Sequence, residues 1–205
     1  MANFKNSLIR HFKENIIMYL IVFFFFLSGI IMGSIAVKAL DSVQKESLIN
    51  YLTIFFKNTD INEIDESTAF KQALLSNIKI SLLIWILGIT VIGIPLILLL
   101  ITFRGFVLGF TVAFLVDELG LKGIIFSILA LLPQNIVNIP VIIILGVTAI
   151  SFSLLLFKRK RQINLLQVFL CYIVIGIFLN SFFLIGSLIE AYITPVFMKL
   201  IIPHL

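Results

Sequence analysis

Charge is what this chain most lacks. Asp, Glu, Lys and Arg make up 12% of its 205 residues, against 61% hydrophobic residues. A soluble domain is about a quarter charged and about half apolar, so too few polar side chains are present to cover a water-facing surface. A single cysteine, Cys171, excludes an intrachain disulfide framework and leaves redox compartment unread. The two histidines, His11 and His204, stand near opposite termini, so no zinc set of the usual Cys/His kind can form within the chain. A His-Glu-x-x-His pair, a nucleophile elbow and a P-loop are all missing. No catalytic set, no metal site and no cofactor are expected, and no enzyme. Without an extended basic face interleaved with aromatic residues, nucleic-acid binding is not expected either.

What is present is apolar sequence in long runs. Mean hydropathy is +1.21, and the runs predict an all-α polytopic membrane protein in one membrane domain, residues 1–205. The expected layout is five transmembrane helices, a re-entrant or broken helical element, and a short extracytoplasmic helical hairpin. Span 1 is placed at 16–37. It is too long for a signal peptide, whose apolar region is about 7–15 residues, and it is read as retained rather than cleaved at Ser34-Ile35-Ala36. Span 2 is placed at 80–102, span 3 at 103–118, a re-entrant element at 121–139, span 4 at 140–157 and span 5 at 165–193. The stretch Leu121–Phe157 would be about 55 Å long as one helix, more than one ordinary crossing, and Pro133 and Pro140 mark where to divide it.

Basic residues cluster asymmetrically, which sets direction. Arg10 and Lys13 put the N-terminus in the cytoplasm, and the block Lys158, Arg159, Lys160 and Arg161 marks a cytoplasmic loop at 158–164. Arg104 falls inside, between spans 2 and 3. The 38–79 segment, with six acids and five lysines, lies outside, as do Asp117-Glu118 and the tail 194–205.

The outer segment carries helix signals. Asp41-Ser42-Val43-Gln44 has capping-box spacing, and Val43, Leu48, Tyr51, Leu52, Phe55 and Phe56 follow on one face. Ser67 or Thr68 can cap a second helix that runs through Phe70, Leu74 and Ile78 into span 2. Two readings stay open: a structural connector, or a docking surface for another extracytoplasmic protein.

Polar side chains at membrane depth raise a sharper question. Pro133, Gln134, Asn135, Asn138 and Pro140 form a proline-flanked amide cluster within apolar sequence. Unpaired amides and proline-freed backbone groups are costly in hydrocarbon. The amides either replace hydrogen bonds that the prolines remove, or they line an interaction or translocation site at an interrupted helix. Gly29-x-x-x-Gly33 and Gly105-x-x-x-Gly109 are candidate helix-packing positions. The acids Asp117, Glu118 and Glu190 are read as solvated helix ends rather than as a proton relay.

Three stretches in series, "WILGITVIGIPLILLL", "RGFVLGFTVAFLVDELGLKG" and "LPQNIVNIP", together with the basic N-terminus, resemble the central region of the stage II sporulation protein M family. That resemblance implies a non-enzymatic multi-pass protein of the mother-cell membrane at the sporulation septum and engulfing membrane. It implies a scaffold that recruits and stabilises a peptidoglycan-degrading complex, the stage II sporulation proteins D and P, for septal thinning, membrane migration and forespore engulfment. Asp41–Glu66 and residues 103–140 are the regions expected to carry partner contacts. The alternative is a permease or channel-like transporter subunit, which the interrupted helix favours and the lack of any evident buried charge disfavours.

Overall fold

Lipid offers the backbone no hydrogen bonds, so a chain this apolar satisfies its amides as helices. The structure, a computed structural model, describes residues 15–58, 66–157 and 165–194. Among them the α-helices are α1 (Ile16–Lys38), α2 (Ser42–Asn58), α3 (Glu66–Leu87), α4 (Gly93–Leu119), α5 (Leu121–Phe126), α6 (Leu132–Phe157) and α7 (Leu165–Leu188). Ser127–Leu131 and Ile189–Ile193 are π-helical. Five runs are long and apolar enough to cross a membrane: α1, α3, α4, the continuous Leu121–Phe157 run, and Leu165–Ile193. The protein is an all-α, multi-pass membrane protein. The basic residues Arg10, Lys13, Lys158, Arg159, Lys160 and Arg161 lie outside the described residues.

The span boundaries differ from the sequence expectation in two places. The break after the second crossing falls at Gly88–Ile92, not at residue 102. Ile89, Thr90, Gly93 and Ile94 donate to Ile86, Leu87, Thr90 and Val91 in a run of tight turns. Gly93 lies so close to the Leu87 carbonyl that a Cβ there would collide with it. The second crossing is therefore α3, the third is the whole of α4, and Arg104 is mid-helix rather than in a loop. The missed signal was Gly88, Gly93 and Pro95, with proline in the first turn where its absent N–H costs nothing.

The second correction concerns residues 121–139, which do not dip and return. They continue as helix through Pro133 and Pro140 into Phe157. The interruption is local: the π segment Ser127–Leu131 widens the turn just ahead of Pro133. Wide turns of this kind absorb a proline ring and its missing donor without ending a helix. Span 4 accordingly begins well before residue 140.

This long run is the centre of the bundle. Its apolar window is 56% buried, against 22–28% for the other four spans. Val141, Ile142, Leu145, Val147, Ala149 and Ile150 form its core face, with Ile97, Ile101, Ile84 and Phe183 from the surrounding helices.

α1 and α4 run parallel and are the most closely packed pair, because the two glycine motifs face each other. A Cβ on Gly29 would strike the Thr102 carbonyl oxygen, one on Gly33 that of Phe106, one on Gly105 that of Phe26, and one on Gly109 that of Ile30. Each obstructing carbonyl lies three residues before the facing motif's glycine, so the four contacts are related by a local two-fold. Bare Cα atoms against carbonyls give the close packing that substitutes for hydrophobic drive between helices in lipid. Ser34 adds a hydroxyl donor to the Gly109 carbonyl oxygen at 3.3 Å.

At the opposite end from the Gly88–Ile92 turn, α2 lies outside the five crossings. Gln44 reaches back to accept from the Asp41 N–H at 3.1 Å, which is one arm of the expected capping box. Lys45 makes an ion pair with Asp117 near the end of α4. Asp117 and Glu118 are exposed there, as is Lys38 at the end of α1.

Candidate functional site

Four side chains that are distant in the sequence meet at mid-depth. Arg104 stands 11 residues into α4 and Asn77 10 residues before the end of α3, each about 15 Å from the turn that joins them. A hydrocarbon core is about 30 Å thick, so this level is its middle. The Arg104 guanidinium donates to Asn77 Oδ1 at 2.9 Å. Asn77 Nδ2 faces Ser187 Oγ of α7 at 3.4 Å, and Glu190, three residues beyond Ser187, lines one cavity with Asn77 and Arg104. The cation on α4 and the acid beyond α7 thus share one polar pocket with the Asn77 amide, and neither is alone in the low-dielectric interior.

The set surrounds a cavity of about 150 Å³ lined by Ser76, Asn77, Arg104, Thr111, Gln134 and Glu190 among others. Gln134 Oε1 is buried and, among the described residues, accepts no hydrogen bond. The helices that shape this space are held by a polar seam between α3 and α7. Tyr172 donates to the Trp85 carbonyl at 2.7 Å and Ser81 to Asn180 Oδ1 at 2.7 Å, and outside that seam Thr194 at the end of the fifth span donates to the Ala130 carbonyl of the fourth at 3.0 Å. Such interhelical bonds are the adhesive that a bilayer leaves available.

The amide cluster therefore divides by role. Asn135 Nδ2 donates to Leu131 O at 2.8 Å at the π segment, which is the local backbone repair that the prolines call for. Gln134 faces the cavity. Asn138 is fully buried against α7, its Oδ1 unpartnered and crowded onto Gly186. These residues lie on helix, not in a turn.

Glu190 requires correction. It is not a solvated helix end but part of the mid-depth network, inside the π segment that closes the fifth span. Asn77, assigned to the outer segment, belongs to a span. The expectation that charge is absent at depth fails with them. An isolated Arg104 among apolar neighbours was the available signal, hidden by the misplaced loop. Among the described residues no three His, Cys, Asp or Glu side chains converge on a point that could hold a metal ion.

A five-crossing bundle with a cation and an acid around one polar cavity at its centre and a helix docked beyond its ends defines a polytopic integral membrane protein with a built polar core. The family model for stage II sporulation protein M matches residues 22–195, and the chain belongs to that family, which ties it to sporulation. Neither curated proteins nor solved structures give a significant match.

Proposed function

We propose that the protein is a membrane scaffold that recruits and stabilises a peptidoglycan-degrading complex at the septal membrane. The partners are the stage II sporulation proteins D and P, and the outcome is septal thinning, membrane migration and forespore engulfment. In this reading the chain sits in the mother-cell membrane with its N-terminus cytoplasmic. Ser151 near the end of α6 donates to Asn15 at the start of α1, so those two helix ends share one end of the bundle, and in this reading the basic residues adjoining them in the sequence make that end cytoplasmic.

The observation that carries the proposal is the placement of α2. It lies beyond the crossings on the opposite end, is tied by Lys45 to Asp117, and leaves Val43 and Tyr51 exposed. A helix held in register with a close-packed α1–α4 pair is suited to position a partner domain outside the membrane. The test replaces Ser42–Asn58 with a Gly/Ser linker and follows co-purification and septal localisation of the two wall-degrading partners. Recruitment is expected to fall; unchanged recruitment and wall thinning would remove α2 from the mechanism.

A second reading, a permease or channel-like subunit, gains support from the Arg104–Asn77–Glu190 network and its polar cavity, since charge at depth marks many transport routes. Purified protein in liposomes separates the two: solute uptake or conductance supports transport, and silence in that assay with partner co-purification supports the scaffold.

A further inference from the structure

The least apolar of the five crossings lies at the edge of the bundle. The α3 span has a mean hydropathy of 1.4, against 2.2–2.6 for the others, yet only 22% of it is buried. Polar residues in a membrane helix ordinarily turn toward the bundle interior. In α3 several turn outward. Gln72, Ser76 and Lys79 are all exposed, and their i, i+4, i+7 spacing puts them on one face.

The depth of Lys79 is fixed by its neighbours on the buried side. Asn77 bonds to Arg104 and Ser81 to Asn180, and Lys79 lies between those two levels, about 12 Å along the helix from its end at Leu87. That is deeper than a four-carbon stem readily carries an ammonium to water. Among the described residues Lys79 has no ion-pair partner. A mid-membrane cation on an outward face, flanked by hydrogen-bonding side chains and by exposed Leu75 and Leu83, is a surface that lipid tails cannot satisfy.

The chemistry selects the occupant. A lipid phosphate stays at the interface, well above or below Lys79. A second copy presenting the same face would set Lys79 against Lys79. The exposed acids Asp117 and Glu118 of another copy stand at a helix end, not at mid-span. A soluble domain does not reach this depth. A helix crossing the membrane with a carboxylate near its middle meets every requirement. It pairs the ammonium, and its neighbouring residues pack between Leu75 and Leu83. We propose that the Gln72–Ser76–Lys79 face of α3 docks a transmembrane helix of a different protein carrying an acidic side chain near mid-span. Ser76 also lines the polar cavity, so the docked helix lies against the wall of the Arg104 network. The proposal rests on the recruitment reading and gives the recruited helix its chemistry.

Two experiments test it. In the first, the full chain is reconstituted in zwitterionic vesicles with labelled Leu/Ala transmembrane peptides carrying Glu, Leu or Lys at the central position, and association is read by energy transfer. The Glu peptide is expected to bind about tenfold more tightly than the Leu peptide, the scale of one good interhelical polar contact in lipid. Lys79→Leu is expected to abolish that preference, and Lys79→Glu to transfer it to the Lys peptide. Lys79 is exposed, so these variants leave the core intact. Equal binding of Glu and Leu peptides, or no inversion with Lys79→Glu, overturns the proposal. In the second, a photo-crosslinking residue replaces Leu83, or Ile177 on the outward face of α7, in cells that make both wall-degrading partners. A crosslink from position 83 to a partner's membrane segment supports the docking face. Partner co-purification with crosslinks from 83 only to lipid or to a second copy overturns it while leaving recruitment standing. Loss of co-purification from the unsubstituted chain overturns recruitment itself, and the docking face with it.

Discussion

Arg104 and Asn77 are 27 residues apart on opposite sides of the Gly88–Ile92 turn, and they meet at 2.9 Å in the middle of the membrane. That hydrogen bond places a cation on α4 under the control of an amide on α3, beside the cavity that Glu190 of the fifth span also lines. Three crossings are tied at one level by groups that none of them could carry alone in hydrocarbon.

Removing two members together should therefore cost less than the sum of removing each alone. Arg104→Leu leaves Glu190 without its cation and is expected to destabilise the protein by about 3 kcal/mol. Arg104→Leu with Glu190→Leu should lose less than the sum of the two single variants, by about 1–3 kcal/mol of coupling. Reversible denaturation in mixed micelles measures this cycle, and strict additivity would show that the two residues do not share a network.

The glycines divide into those that need space and one that needs conformation. Gly109→Ala drives a methyl into the Ile30 carbonyl and should cost about 1–3 kcal/mol as overpacking. It should also widen the α1–α4 spacing, read between spin labels at the exposed Ile31 and Val107. Gly120 has φ +57° and open space around it. Its ψ of −130° lies outside the left-handed helical region, so Gly120→Ala should cost the strain of a conformation that only glycine adopts readily, about 1–3 kcal/mol, with the spacing unchanged.

Asn138 and Gly186 form a tight pair, and a Cβ on Gly186 would enter the Asn138 amide. Gly186→Ala should destabilise by about 1–3 kcal/mol. Asn138→Ala in that background should recover most of the loss, because it removes the obstructing amide together with an acceptor that has no partner. No recovery would mean that α7 is displaced by another contact.

The α2 tether should respond to pH in the direction set by Lys45. Its hydrogen bond to Asp117 raises the Lys45 pKa above the ordinary lysine value. A raised lysine contributes fully below the unfolded pKa, near 10.5, and the contribution is lost as pH climbs through the higher folded value. A spin label at the exposed Val43 should be as restrained at pH 9 as at pH 7 and become more mobile only once pH has climbed past the ordinary lysine value of 10.5. Lys45→Met should be mobile throughout, and high salt should loosen the native contact because the pair is exposed.

How much could be read in advance depended on what uniform hydrophobicity conceals. Cys171, His11 and His204 ruled out metal and disulfide frameworks without any coordinates. Gly29, Gly33, Gly105 and Gly109 were visible as motifs because their spacing is itself the signal. Arg104 and Glu190 were misjudged for one shared reason: α4 and α7 are apolar nearly all round, so no hydrophobic stripe reports which side faces inward or at what depth a residue stands. The turn at Gly88–Ile92 and the helix through Pro133 and Pro140 inverted the usual weight of the breakers. Two glycines closed a turn while two prolines were absorbed.

The sequence alone determined that this chain lives in a bilayer as helices, because its composition has no other way to satisfy backbone amides. It also determined how many times the chain crosses, because the length of each apolar run is set by bilayer thickness. Only the tertiary structure decided that Asn77, Arg104, Gln134 and Glu190 share one cavity and that Lys79 faces outward. Those facts depend on the rotation and height of each helix against its neighbours. Rotation and height are set by contacts such as glycine against carbonyl and serine against asparagine, whose partners lie dozens of residues away.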